Sequence, residues 1–223
     1  MKVGTDGVLL GAWTPAPDVQ SDNVQCTILD VGTGSGLIAR MLMQRCPEAE
    51  VEGIDIDEAA AEQARENGVK AYCAKLQEWQ GTYDLIVSNP PYFQNSLKNP
   101  DKGRQTARHT DTLSYAELIH HSARLLNENG QLALILPAEA ENEVRQLAAA
   151  ENLFLTRVTR VYSKESKPAR RVLLAFRKWT MDNCRRHSRF RRRKRRPFSR
   201  LFGTLQRILF IIILRRSRRV PHG

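Results

Sequence analysis

Apolar runs of strand length alternate with amphipathic stretches over the first four-fifths of the chain. The runs lie at residues 26–31, 51–56, 70–74, 83–88, 131–136, 153–161 and 171–176. Stretches with helical periodicity lie between most of them, at residues 37–45, 58–67, 113–127 and 139–151. Strands that alternate with helices of this length form βαβ units, so the pattern predicts a doubly wound α/β fold with a mostly parallel sheet. Only a loop joins the last two runs, which allows an antiparallel hairpin at the sheet edge.

This pattern ends abruptly at Trp179. Residues 179–223, called the tail below, hold 15 Lys and Arg against the single acid Asp182, and a short apolar block, ILFIIIL. Residues 1–178 hold 20 Lys and Arg against 23 Asp and Glu, so the net charge of +11 comes from the tail. We therefore predict one domain over residues 1–178 and an irregular or disordered basic tail outside its fold. The tail is interpreted either as an electrostatic RNA-binding segment or, preferably, as a translation product outside the native frame.

The composition is typical of a globular protein, with 41% hydrophobic and 26% charged residues. No run of about 18 apolar residues occurs, which excludes an ordinary membrane span, and the first residues lack the pattern of a secretory signal. The four cysteines and five histidines show no metal-ligand spacing. We therefore expect a cytoplasmic monomer with reduced thiols, no metal and no membrane partner.

The first chemical motif is the sequence DVGTGSG at residues 30–36, between a predicted strand and a predicted helix. Glycines allow a sharp turn and let a ligand approach the main chain closely. The spacing G-x-G-x-G, with an aspartate closing the strand, fits a loop for a nucleoside–methionine ligand better than a pyrophosphate loop. The alternative is an ordinary glycine-rich turn. The predicted cofactor-binding residues are Asp30, Gly32, Thr33, Gly34 and Gly36.

Asp55 ends the second predicted strand, about twenty residues after this loop. In doubly wound folds a carboxylate at this place accepts hydrogen bonds from ribose hydroxyls. We therefore predict that Asp55 binds the cofactor. Asp57 is a rival for the same role, and a solvated acid at a strand end is the structural alternative.

The third motif, Asn89-Pro90-Pro91-Tyr92, follows the strand predicted at residues 83–88. Ligands of open α/β sheets bind at this carboxyl end of the strands. The two prolines stiffen the turn and remove two N–H donors. The Asn89 amide oxygen and the Pro90 carbonyl can then accept both hydrogens of a planar amino group, and Tyr92 can stack on the attached ring. The pattern predicts that these four residues form a catalytic site that methylates an amino nitrogen of the substrate. The alternative is a proline-rich turn without a catalytic role.

These motifs together resemble the amino-methyltransferase group of S-adenosylmethionine enzymes. Within that group, the segments MKVGTDGVLLGAW, SNPPYF and RQTARHTDTLSYAELI are similar to bacterial tRNA methyltransferases that modify N6 of adenine 37 in a valine tRNA. The resemblance covers roughly residues 1–177. It implies S-adenosylmethionine as cofactor, tRNA as partner, and a Rossmann-like sheet of seven strands whose final hairpin is residues 153–161 and 171–176. It also implies cofactor contacts from the loop and Asp55, and base contacts from Asn89, Pro90 and Tyr92.

Two basic loops are candidates for RNA contact. Arg104, Arg108 and His109 follow the Asn-Pro-Pro-Tyr motif and can hold tRNA phosphates. Exposed basic side chains are also common on loops that bind nothing, and the sequence favours neither interpretation. The same two interpretations apply to the basic residues between positions 164 and 171.

Three functions remain open at this point. The first is methylation of adenine N6 in tRNA. The second uses the same site on another planar amine, either a glutamine amide of a release factor or guanine N2 in rRNA. The third is an inactive methyltransferase fold that binds nucleic acid. Only the family-specific segments favour the first of these.

Overall fold

The computed structural model describes residues 4–15, 25–90, 113–164 and 166–178, and the backbone of residues 214–216. The helices are α1 (Thr5–Trp13), α2 (Leu37–Arg45), α3 (Glu58–Glu66), α4 (Tyr115–Leu125) and α5 (Glu141–Ala150). The strands are β1 (Thr27–Val31), β2 (Glu50–Asp55), β3 (Lys70–Cys73), β4 (Tyr83–Ser88), β5 (Leu126–Pro137), β6 (Leu153–Tyr162), β7 (Ala169–Lys178) and β8 (Leu214–Arg216). A short 3-10 turn, Ala138–Ala140, joins β5 to α5.

One sheet contains all of these strands, in the order β3-β2-β1-β4-β5-β7-β6-β8. The first five strands in this order run parallel, and β7 and β6 form an antiparallel hairpin next to β5. The predicted mostly parallel sheet of seven strands is therefore confirmed. The strand order reverses between β1 and β4, which is the point where open α/β sheets bind ligands.

The core consists of two clusters of buried side chains, one on each face of the sheet. Successive side chains of a strand point to opposite faces. In β5, for example, Leu132 and Leu134 belong to the cluster under α4 and α5, while Ala133 and Ile135 belong to the one under α1 and α2. Because helices cover both faces, the central strands are apolar at nearly every position.

Two differences from the sequence pattern concern helices. The pattern predicts no helix at residues 5–13, yet α1 lies there. Its Gly11 allows close packing on α2, since a β-carbon at this glycine would lie 2.7 Å from the Met41 sulfur. The helix predicted at residues 113–127 ends at Leu125, because β5 starts at Leu126. The side chain of Lys178 donates hydrogen bonds to the carbonyls of Ala123 and Leu126 at this helix end.

The described part of the tail is β8, which the sequence pattern does not predict. Its three residues pair antiparallel with Thr159, Arg160 and Val161 of β6, at the outer edge of the sheet. Residues 179–213 and 217–223 lie outside the described residues. The division into a domain at residues 1–178 and a separate tail therefore stays a prediction.

Candidate active site

The glycine-rich loop lies at the carboxyl end of β1. Gly32, Gly34 and Gly36 have φ angles of +69°, +56° and +78°, a region that favours glycine. The amide groups of Gly32 and Thr33 donate to the carbonyl of Ile54 at 2.9 and 3.0 Å, so the loop folds over the end of β2. A β-carbon at Gly32 would meet no atom of the described residues within 4 Å. The loop therefore leaves an open cradle on this side, as the predicted cofactor requires.

Asp30 lies beneath this loop rather than at its surface. Its side chain is fully buried, and one carboxyl oxygen accepts hydrogen bonds from the Thr33 hydroxyl (2.8 Å) and the Ala39 amide (3.2 Å). Burial raises the pKa of Asp30 to about 7, against the opposing effect of these hydrogen bonds. Asp30 thus fixes the loop to the first turn of α2. Its predicted contact with the cofactor stays a prediction.

Two further residues of the loop region have roles that the sequence pattern does not indicate. Gly53 of β2 packs against Thr33, since a β-carbon there would lie 2.7 Å from the Thr33 hydroxyl oxygen. The Asn67 side chain, after α3, donates to the carbonyl of Ser35 at 2.9 Å. Both contacts join residues that lie far apart in the sequence, so only the fold shows that they hold the loop.

The structure distinguishes the two rival carboxylates, Asp55 at the end of β2 and Asp57 just after it. Asp55 faces the loop: one oxygen accepts from the Gly34 amide at 2.9 Å and the other from the Asp57 amide at 3.0 Å. Asp57 caps α3, where its side chain accepts from the Ala59 amide at 3.0 Å. Between them, Ile56 is 55% exposed, which is unusual for a large apolar side chain in this protein. Asp55 is thus the carboxylate beside the loop.

The carboxyl end of β4 lies next to the loop because β4 pairs with β1. The buried Ser88 hydroxyl donates to the Val31 carbonyl at 2.8 Å, which joins the two strand ends. Asn89, half-buried, and Pro90, buried, follow directly. The structure thus brings Asn89 and Pro90 to the same edge as the loop and Asp55. The other predicted residues, Pro91, Tyr92, Arg104, Arg108 and His109, lie outside the described residues.

Helix α1 borders the same edge. Asp6 accepts a hydrogen bond from the guanidinium of Arg171 at 2.8 Å, and both side chains are largely buried. Arg171 pairs with Pro137 at the carboxyl end of β5. The ion pair therefore anchors the start of α1 beside the end of β5 and the start of β7. Sequence reasoning missed Asp6, whose one sequence clue is its position in the segment MKVGTDG.

Within the described parts of the chain, no three His, Cys, Asp or Glu side chains are placed to hold a metal ion. Cys26, Cys46 and Cys73 carry free thiols. The helices in these segments are too short or too polar to cross a membrane.

Comparisons with known proteins identify the family of this chain. Residues 17–154 match the family described as the methyltransferase small domain. The chain is 44% identical over 189 residues to the tRNA1(Val) (adenine(37)-N6)-methyltransferase of Bacteroides fragilis, covering 79% of this chain and 77% of the relative. For the enzyme of the same name from Parabacteroides distasonis, the identity is 46% over 186 residues, covering 78% and 76%.

Solved structures show the same fold. A predicted O-methyltransferase from Agrobacterium tumefaciens superposes with a TM-score of 0.59 at 18% identity, covering 79% of this chain and 82% of that one. The ribosomal protein L11 methylase of Lactobacillus delbrueckii gives 0.50 at 19% identity, covering 78% of each chain. At these identities the likeness concerns the fold alone.

The sheet order, the glycine-rich loop after β1 and the acid after β2 define a Rossmann-like, S-adenosylmethionine-dependent methyltransferase. The chain belongs to the methyltransferase small domain family and, within it, to the group of tRNA1(Val) (adenine(37)-N6)-methyltransferases.

Proposed function

We propose that this chain transfers a methyl group from S-adenosylmethionine to the exocyclic N6 of adenine 37 in a valine tRNA. The observation that carries the proposal is the position of Asn89 and Pro90, beside the glycine-rich loop and at the reversal of strand order. The names of the relatives supply the substrate. The enzyme is expected to act as a cytoplasmic monomer, without a metal ion.

The cofactor residues fit this proposal. Each carboxylate oxygen of Asp55 accepts one backbone hydrogen bond and keeps further lone pairs, which can accept the ribose hydroxyls. The exposed Ile56 side chain offers an apolar surface for the adenine ring. Gly32, where a β-carbon would meet no described atom within 4 Å, leaves room for the methionine part of the molecule. S-adenosylmethionine, when bound, supplies an electrophilic methyl carbon on its sulfonium sulfur.

The residues after β4 act on the target nitrogen. The Asn89 amide oxygen and the Pro90 carbonyl accept the two hydrogens of the amino group, which turns the nitrogen lone pair towards the methyl carbon. As the new carbon–nitrogen bond forms and the carbon–sulfur bond breaks, the N–H groups become more acidic and these hydrogen bonds strengthen. One N–H proton is then lost to solvent. For Pro91 and Tyr92, which lie outside the described residues, the proposed roles are to stiffen this turn and to stack on the base.

The test is methyl transfer from labelled S-adenosylmethionine to total bacterial tRNA, followed by nucleoside analysis. We expect N6-methyladenosine, and none when a valine tRNA transcript carries guanine at position 37. The Asn89→Ala variant is the control for contaminating activity. A product at guanine N2, or label in a protein, would contradict the proposal, because the other planar amines fit the same pair of acceptors.

A further inference from the structure

The hairpin of β6 and β7 turns at the same edge of the sheet as the proposed catalytic residues. Ser88 of β4 pairs with Leu134 of β5, which pairs with Leu174 of β7. Arg171 lies three residues before Leu174, towards the turn at residues 163–168. From the spacing and rise of strands, Arg171 lies about 10 Å sideways and about 10 Å along from Ser88. The turn is therefore within reach of a polymer whose base enters at Asn89.

Three exposed cations, called the basic tip below, lie in the turn and at the start of β7: Lys164, Lys167 and Arg170, with one acid of the sequence, Glu165, between the two lysines. In the described part of the chain none of them contacts an acid within ion-pair distance. The neighbouring arginines differ, since Arg171 pairs with Asp6 and Arg160 with Glu141. Arg170 is the extra residue of a bulge, since Val161 pairs with Arg171 and Tyr162 with Ala169, and its side chain is exposed.

We propose that the basic tip binds the phosphate backbone of the tRNA whose adenine is methylated at Asn89. The inference rests on the proposed function, because the polyanion it names is the substrate of that site. Lysine and arginine side chains on a hairpin supply sequence-independent contacts that position the RNA, while the base is selected at Asn89. Such contacts raise affinity for tRNA and leave the chemical step unchanged.

The experiment compares the full chain with the triple variant Lys164→Ala, Lys167→Ala and Arg170→Ala. Arg177→Ala is the control, and it is matched by the single variant Arg170→Ala, because each removes one arginine of β7, from opposite ends of the strand. For each protein, tRNA affinity is measured at several salt concentrations, together with kcat, the KM for tRNA, cofactor affinity and the melting temperature. The tail is present in every protein, so its charge contributes equally to all of them.

We expect the triple variant to lower the slope of log affinity against log salt by about 2 to 3, since each lost phosphate contact contributes about 0.7 to 0.9. Its KM for tRNA rises, while kcat, cofactor affinity and melting temperature match the wild-type chain. The control variant keeps the wild-type slope and KM.

If the wild-type chain methylates tRNA but the triple variant keeps the wild-type salt slope and KM, the inference is overturned and the proposed function stands. An equal loss in Arg177→Ala and Arg170→Ala would also overturn it, since the effect would then be one of net charge. A wild-type chain that methylates no tRNA would overturn the proposed function, and the inference with it.

Discussion

The two ends of the sheet use their polar groups differently. At the amino end, Lys70 forms ion pairs with Glu50 and Glu52, both at 2.7 Å. The Tyr83 hydroxyl donates to Glu52 at 2.7 Å and accepts from the Trp79 indole at 2.8 Å. A cavity of about 270 Å³ lies among these side chains, yet its polar lining is already paired within the protein.

At the carboxyl end, polar groups keep capacity for a ligand. Asp55 retains free lone pairs, the side of Gly32 is open, and the basic tip carries cations without acidic partners in the described residues. The strand order reverses between β1 and β4, which is the point of an open α/β sheet where ligands bind. Pairing within the protein thus stabilises one end of the sheet, and the other end is left for binding and catalysis.

The largest expected effect is on the chemical step. Asn89→Ala should lower kcat by about 10²- to 10³-fold, because one acceptor for the developing N–H charge is lost. Cofactor affinity should stay close to wild type, since the amide acts on the target nitrogen. Stopped-time methylation assays and titration calorimetry measure the two quantities. Wild-type turnover in this variant would contradict the proposed mechanism.

Cofactor affinity should depend on Asp55 and much less on Asp57. Asp55→Ala removes a charged acceptor for ribose hydroxyls at about 1.5–3 kcal/mol per bond, or roughly 10- to 150-fold in affinity. Asp57→Ala should mainly lower the melting temperature, because it removes the cap of α3. Calorimetric titration of both variants checks this. Equal affinity of Asp55→Ala and the wild-type chain would transfer the ribose role to another residue.

Buried Asp30 should make the fold less stable as the pH rises. Its pKa is raised from 3.8 to about 7, so the folded chain holds a proton that the unfolded chain has lost. The free energy of unfolding should therefore fall by up to about 1.4 kcal/mol per pH unit between about pH 4 and pH 7. Urea unfolding at pH 5 and pH 7.5 measures this change, and Asp30→Asn should flatten it. An identical pH dependence in both proteins would show that Asp30 is ionised throughout.

A substitution at the amino end should affect stability without affecting binding. Tyr83→Phe removes the hydroxyl that joins Glu52 to Trp79, which should lower the free energy of unfolding by about 1 kcal/mol. Cofactor affinity and turnover should not change. Chemical denaturation and calorimetry provide the measurements. Reduced cofactor affinity in this variant would mean that the two ends of the sheet are coupled.

The smallest effect is expected from removing the tail. Of the described strand pairings, a chain ending at Lys178 loses only the three-residue pairing of β8 with the edge strand β6, so it should keep cooperative melting, cofactor affinity and product nucleoside, and lose salt-sensitive RNA affinity. The matched control ends at Arg177 and should melt at a lower temperature, because it lacks the Lys178 bonds to the end of α4. Loss of cooperative melting in the chain ending at Lys178 would place the tail within the fold.

Local patterns in the sequence predict most of the sheet. The apolar run at residues 83–88 gives β4 with its observed bounds, and the periodic stretch at residues 37–45 gives α2. Helix α1 could not be predicted in this way, because glycine lowers helix propensity and Gly11 is favourable only once Met41 packs against it. The end of α4 depends on Lys178, more than fifty residues away in the chain.

Some features of the candidate site could likewise be predicted from local sequence, and others depend on contacts between distant residues. The glycine-rich loop, Asp55 and Asn89 belong to short motifs, and a motif can be read without knowing the fold. The bond from Ser88 to Val31 and the ion pair of Asp6 with Arg171 join residues 57 and 165 positions apart. No periodicity relates such residues. The choice between Asp55 and Asp57 also required the fold, since it depends on which carboxylate caps α3.

The contact between Gly53 and Thr33 constrains the order in which residues 33 and 53 can be substituted during evolution of this family. Any side chain at position 53 would enter the space of the Thr33 hydroxyl, which is itself bonded to Asp30. A larger residue at position 53 is therefore tolerated only after position 33 has become smaller, because the opposite order passes through an intermediate in which the two side chains clash. The two positions should covary among related chains, with a preferred order of substitution that ancestral reconstruction can detect.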